Sequence, residues 1–162
     1  MEVRDATPDD AAAIAAIYNH YVLTTTISFE EQAASEADFK TRIGTVHEAG
    51  LPWLVAMVDG VVAGYAYATP WRVRSAYRFS AESSVYVSHR SPRRGLGRAL
   101  YVVLLERLRG AGRHLVIGGI ALPNDASVAL HERMGFKKVA HFGEVGRKFD
   151  RWVDVGYWQL RL

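Results

Sequence analysis

The sequence predicts a single mixed α/β domain across residues 1–162, with a mostly antiparallel sheet, a parallel pair of strands at its centre and about four flanking helices. Three observations carry this. The apolar runs Trp53–Val58 and Val61–Ala68 are separated only by Asp59-Gly60, the signal of a two-residue type I′ hairpin. The stretch Ser83–Leu108 begins as an alternating strand, with Ser83, Val85 and Val87 on one face and Ser84 and Tyr86 on the other. It breaks into a basic, glycine-containing loop and resumes as a helix with Leu96, Leu100, Val103, Leu104 and Leu108 on one stripe. A further apolar strand, His114–Ala121, follows that helix, which makes the two strands a parallel pair around it.

Taken in order, Met1–Ala6 reads as a short strand. Thr7-Pro8-Asp9-Asp10 is a helix start, with a capping hydroxyl, proline at the first helical position and an acid at the third. Ala11, Ile14, Ile17, Tyr18 and Tyr21 then recur at helical spacing, so this helix packs on a sheet. Thr24–Glu31 is polar and carries Phe29, which is either a core residue or the floor of a pocket. A second helix is expected from Ser35 to Gly50, burying Phe39, Ile43 and Val46. After the hairpin, Pro70 is expected to stop the strand, Trp71–Ala81 to form a loop rich in arginine and aromatics, and Glu82 to lead into the central strand. Pro123-Asn124-Asp125 breaks the His114–Ala121 strand and caps a short helix, Ala126–Met134, closed by Gly135. Two last strands, Lys137–Phe142 and Trp152–Leu160, are expected to be joined by Gly143–Arg151.

Composition narrows the function classes. A chain of 162 residues, 49% apolar and 23% charged, fits one globular domain with a sizeable core. The absence of cysteine excludes a disulfide framework and thiolate catalysis, and fits a cytoplasmic protein. No signal pattern opens the chain and no apolar run approaches the length of a membrane span, so no membrane partner is expected. The net charge of +3 and pI of about 9.3 raise nucleic acid as a partner. The basic residues gather, however, in Arg72–Arg78 and Arg90–Arg98, without a recognition helix, an RNA-binding aromatic signature or zinc spacing. Two local anion sites explain the charge better, and no nucleic-acid partner is expected. His131-Glu132 is followed by Arg-Met-Gly and not by a second histidine, so no metal is expected either.

The loop before the central helix carries the strongest chemical signal. Strand, glycine-rich turn and helix in that order leave bare backbone amides at a helix N-terminus, and Arg93, Arg94 and Arg98 add charge to make a phosphate cradle. A dinucleotide fingerprint would need a small residue where Leu100 stands, and no Gly-Lys-Ser/Thr follows for a nucleotide P-loop.

The stretch instead resembles the acetyl-CoA loop of the GCN5-related N-acetyltransferases, whose pattern is Gln/Arg-x-x-Gly-x-Gly/Ala after a strand. The frame here is Pro92-Arg93-Arg94-Gly95-Leu96-Gly97, with proline in the usual first position. That departure removes one side-chain donor and leaves the amides and arginines. More narrowly, AIYNHYV, TTTISFEE, WRVRSAYRFSAESSVYVSHR, LPNDASVALHERMGF and VGRKFDRWVDVGYWQL resemble the phosphinothricin and methionine sulfoximine N-acetyltransferases, and together they cover most of the chain.

The resemblance implies that family's fold, acetyl-CoA as co-substrate, no metal, a small-molecule amine as acceptor and a homodimer. It implies that the amides of Val85, Tyr86 and Val87 hold the pantetheine and polarise the thioester carbonyl. Arg93, Arg94, Gly95, Leu96, Gly97 and Arg98 would hold the phosphates; Asn124 and Ser127 would contact the pantetheine arm or cap their helix. An ammonium cannot attack a thioester until a base takes its proton, and Glu82, an isolated carboxylate at the mouth of an apolar strand, is the candidate. It could equally pair with Arg72 or Arg78. His131 stands where many family members carry a tyrosine acting as general acid, and its role as acid, base or helix-face hydrogen-bonder is open. Arg72 and Arg78, whose guanidinium forks suit a carboxylate or phosphinate, with Phe29 and Glu82 complete the expected acceptor site. The expected activity is acetyl transfer to the α-amine of a small acidic amino-acid-like substrate. The alternatives are another amine (a peptide N-terminus, a polyamine, an aminoglycoside) or a CoA-binding domain without catalysis.

Overall fold

A computed structural model describes residues 1–91 and 95–162, so the expected phosphate-loop residues Pro92, Arg93 and Arg94 lie outside the described residues. The chain runs β1 (Glu2–Asp5), a 3-10 turn at Pro8–Asp10, α1 (Ala11–Thr24), α2 (Glu36–Glu48), β2 (Trp53–Val58) and β3 (Val61–Pro70). It continues through β4 (Ser80–Val87), α3 (Leu96–Gly110), β5 (Leu115–Leu122), α4 (Asp125–Arg133), β6 (Lys137–Lys148) and β7 (Arg151–Arg161). The strands form one sheet in the order β1-β2-β3-β4-β5-β7-β6, in which β4–β5 is the parallel pair.

Local chemistry sets these boundaries. Ser35 and Asp38 form a reciprocal capping box, the serine oxygen taking the Asp38 amide at 3.0 Å and the Asp38 carboxylate taking the Ser35 amide at 2.7 Å. Asp59 and Gly60 both have positive φ, 51° and 78°, as the type I′ turn between β2 and β3 requires.

Alternation along the strands places the helices on two faces. Tyr65 packs on Phe39 of α2, whereas a Cβ on its neighbour Gly64 would meet Leu100 of α3. Tyr86 likewise packs on Tyr18 of α1, and Ser83, of opposite parity, bonds Tyr101 of α3. The sheet is thus covered by α1 and α2 on one face and by α3 on the other. An aromatic layer of Tyr18, Phe39, Trp53, Tyr65, Tyr67 and Tyr86 fills the first interface.

Two expectations are corrected. β3 ends at Pro70 as expected, with Pro70 still paired with Ala81, but β4 starts at Ser80, so Glu82 lies inside the central strand and does not lead into it. Proline has no N–H to give to the ladder, and the strand goes no further. The expected Gly143–Arg151 connection is mostly strand. β6 and β7 form a long hairpin that turns at Phe149-Asp150, both with positive φ (51° and 56°), after a register shift between Phe142 and Gly146. The irregular segment, with Glu144 at φ 53°, breaks the alternation, and the turn has no glycine to announce it. Among the described residues, no helix is long and apolar enough to cross a membrane.

Gly64 shows how tightly the central strands meet. A Cβ there would lie 3.0 Å from the Tyr86 carbonyl oxygen and 3.4 Å from Val87 Cα, both backbone atoms that cannot swing aside. Gly64→Ala should therefore cost about 1–3 kcal/mol of stability, read as a lower urea midpoint at unchanged m-value.

Candidate active site

The site begins where the parallel pair fails. β4 and β5 are paired only from Ser80–Leu115 to Glu82–Ile117. Beyond that point β4 stays with β3 as far as Val87, and β5 stays with β7 as far as Leu122. The two strands part after Glu82, and the inner edges of Ser83–Val87 and Gly118–Leu122 face a gap where a ladder would be. Backbone amides and carbonyls require partners, and an extended ligand laid in the gap can supply them. Val87 already has one, since the Tyr21 hydroxyl donates to its carbonyl.

The gap opens into a cleft of about 920 Å³ bounded by β4, the start of α3 and α4. Val85, Tyr86, Val87, Gly95, Leu96, Gly97, Arg98, Asn124 and Ser127 all line it, so the structure brings together every described residue expected to hold the cofactor. Both glycines have a geometric reason. Gly95, preceding the first turn of α3, has φ +69°, which a side chain would strain. A Cβ on Gly97 would lie 2.9 Å from Leu130, so this glycine lets α4 close on the N-terminus of α3. Asn124 caps α4 by accepting the Ser127 amide at 3.2 Å.

His131, 3% exposed, closes the inner end of the cleft. Its Nδ1 lies 2.7 Å from the Ser127 carbonyl, which can only accept, so Nδ1 carries the proton. In the neutral ring Nε2 is then the acceptor, and its partner is the Tyr101 hydroxyl at 2.9 Å. Tyr101 in turn takes a hydrogen bond from Ser83 at 3.2 Å. One chain of donors thus runs Ser83 to Tyr101 to His131 to the Ser127 carbonyl. Burial holds the His131 imidazole below the usual histidine value, with the Ser127 carbonyl opposing, and burial pushes the Tyr101 hydroxyl up.

Glu82 is on the opposite face of the sheet. A Cβ on Gly119 would meet Glu82 Oε1 at 3.5 Å, whereas one on Gly118 would meet His131 Nε2 at 2.6 Å. The carboxylate lines a second cavity of about 410 Å³ with Ile27, Phe29, Phe142, Val145, Val155 and Tyr157. Desolvation raises the Glu82 pKa above the ordinary glutamate value, and the charge of Arg72 opposes that rise. Ile27, Gly119 and Ala121 line both cavities, so the two meet where β4 and β5 part.

Phe29 is therefore a pocket wall, 42% exposed, with its ring over the Gly146 backbone. Its segment is held from two sides: Ser28 bonds the Tyr18 hydroxyl at 2.8 Å, and the buried Lys148 donates to the Ser28 carbonyl at 2.6 Å. Arg72 stacks on Trp71 and faces Glu82 electrostatically without bonding it. Arg78 is not brought to the pocket; its guanidinium stacks on Phe79 and donates to the Ser75 carbonyl at 3.1 Å.

Sequence reasoning missed Tyr101, Ser83, Ile27 and Tyr157. Tyr101 carried a signal, since it stands four residues after Gly97 and three before Leu104 on the buried stripe of α3. Ile27 and Tyr157 carried none, because their place in the pocket depends on how distant segments meet.

Known proteins are similar to this chain in sequence and in fold. Residues 3–156 match the family model described as an acetyltransferase (GNAT) domain. The phosphinothricin N-acetyltransferase of Streptomyces viridochromogenes is 44% identical over 98% of this chain and 86% of that protein. The L-methionine sulfoximine/L-methionine sulfone acetyltransferase of Salmonella typhimurium is 38% identical over 100% of this chain and 95% of its own length. Among solved structures, a phosphinothricin acetyltransferase of Sinorhizobium meliloti in complex with acetyl-CoA superposes with a TM-score of 0.96. It is 36% identical and covers 99% of this chain and 88% of that one.

The raised Glu82 pKa fixes a sign. The protonated carboxyl is favoured in the fold, so its contribution to stability is full below the ordinary glutamate value and is lost as pH rises through the folded one. Glu82→Gln should therefore melt higher than the wild type at neutral pH, with the difference shrinking as pH falls through the raised folded value and gone below about 4.5, the ordinary glutamate value. Thermal melts at both ends of that range check it.

Proposed function

The chain belongs to the acetyltransferase (GNAT) family and is an acetyl-CoA-dependent N-acetyltransferase, and we propose that its acceptor is the α-amine of a small acidic amino-acid-like substrate of the phosphinothricin, methionine sulfoximine or methionine sulfone type. One observation carries this reading. At the point where β4 and β5 part, the cofactor cleft on one face meets a desolvated carboxylate in an apolar pocket on the other.

The cleft fits acetyl-CoA, which when bound supplies an acetyl group activated as a thioester. The open edge of Val85–Val87 would hold its extended arm, and the amides of Gly95–Gly97 with Arg98 would hold its phosphates. Glu82 takes the proton from the substrate's ammonium, directly or through one water, and leaves a lone pair on the nitrogen. A carboxylate with a raised pKa is a better acceptor for that proton than an ordinary one. Both nitrogens of His131 are occupied, so its part is to fix the Tyr101 hydroxyl and the cleft wall. Arg72 contributes positive potential for the substrate's acidic group, and Phe29, Phe142 and Val145 contact its side chain. Arg78 takes part only if it leaves the Ser75 carbonyl.

The same reading makes the enzyme cytoplasmic, which its cysteine-free composition supports, and a homodimer. Support for the dimer is the apolar surface of the β6–β7 hairpin, where Phe142, Val145, Phe149 and Trp152 are each more than half exposed.

The test is release of CoA from acetyl-CoA with phosphinothricin, methionine sulfoximine and methionine sulfone beside spermidine, kanamycin and a short peptide. Turnover is expected on the amino-acid analogues alone, falling about 10²–10⁴-fold in Glu82→Gln. Turnover confined to the cationic amines or the peptide would overturn the acceptor assignment.

A further inference from the structure

Two glycines in succession, Gly118-Gly119, stand in the interior of β5, where glycine weakens a strand by its backbone entropy and its missing side chain. Neither has positive φ, so the turn geometry that usually explains glycine does not apply. Their reason is what lies against them. Adjacent strand positions face opposite sides of the sheet. A Cβ on Gly118 would lie 2.6 Å from His131 Nε2, so this glycine is required by the packing of His131 on the cofactor side. A Cβ on Gly119 would lie 3.0 Å from Tyr157 Cε1 and 3.5 Å from Glu82 Oε1, on the acceptor side.

The second contact has a consequence for the substrate. At 3.0 Å the Tyr157 ring must shift to admit even a methyl group. Trp71 and Phe142 each stand edge-on to that ring with centroids 5.8 Å away, which leaves the cavity as the direction in which it can give. The bare Cα of Gly119 therefore keeps open the space beside Glu82 into which the amine-bearing carbon of the acceptor must fit.

We propose that Gly119 is a specificity-determining residue: it sizes the acceptor site so that an amine on a substituted carbon reaches Glu82. This rests on the reading of Glu82 as the group that takes the amine's proton. Gly119 borders the cofactor cleft through backbone atoms that a substitution keeps, whereas the new Cβ points to the acceptor face and moves Tyr157 into the acceptor space.

The experiment measures amine KM, kcat and acetyl-CoA Kd for wild type, Gly119→Ala, Tyr157→Ala and the double variant. The amine is the one that the wild type turns over fastest, so a wrong substrate reading shows in the wild type alone and a wrong inference in the ratio of variant to wild type. Gly119→Ala is expected to raise amine KM about tenfold or more, with acetyl-CoA Kd within about twofold. In the Tyr157→Ala background the same substitution should have a much smaller effect, because the group it displaces is gone. Should Gly119→Ala fail to fold, Tyr157→Trp fills the same space from the other wall and is read in the same way. An unchanged amine KM, or an acetyl-CoA Kd weakened by the same factor as the amine KM, would overturn the proposal.

Discussion

The early parting of β4 and β5 is the constraint on which the rest of the structure depends. A parallel pair held by three residue couples cannot satisfy the inner backbone groups of the strands beyond them, and every other part of the site is arranged around that deficit. α3 begins at the cleft with a left-handed glycine before its first turn, so its N-terminal residues line the cleft beside the gap. α4 is drawn close because Gly97 has no side chain to hold Leu130 away. The gap also joins the two faces of the sheet, which is why a cofactor cleft and an acceptor pocket that would otherwise be separated by a continuous sheet share Ile27, Gly119 and Ala121.

The two titratable groups beside the gap are set differently by their surroundings. Glu82 lies in an apolar pocket with Arg72 acting only at a distance, so its charge is disfavoured and its affinity for a proton raised. His131 is pushed the other way, toward the neutral ring, and both its nitrogens have partners. A group ready to gain a proton thus faces the acceptor, and a group already satisfied faces the cofactor. That division favours Glu82 as the chemical actor and His131 as the one that positions Tyr101.

Much of this was legible in the sequence, and the remainder was hidden for physical reasons. The helix starts, the Asp59-Gly60 turn and the strand–loop–helix could be read because each is a local rule of spacing or capping. The residues expected at the cofactor lie on or beside three elements of one β4-α3-β5-α4 run, β4, α3 and α4, whose motifs are short and whose order fixes their placement. The acceptor pocket was harder. Tyr157, Ile27 and Val155 enter it from segments far apart in sequence, and Arg78 was expected in it from its guanidinium chemistry and its place in the Trp71–Ala81 loop, whereas its guanidinium turns back on that loop. The β6–β7 hairpin was read as two short strands because an irregular segment interrupts its alternation and Phe149-Asp150 turns without glycine. Gly118-Gly119 carried the clearest unread signal, since glycine pairs inside an apolar strand mark a close approach.

A crystal structure of the protein with CoA and an N-acetylated amino-acid product tests the central claim most directly. The account predicts the CoA sulfur in the gap between β4 and β5, and the acetylated nitrogen on the Glu82 face within hydrogen-bond reach of the carboxylate, directly or through one water. A nitrogen on the His131 face, with Glu82 out of reach, would contradict it.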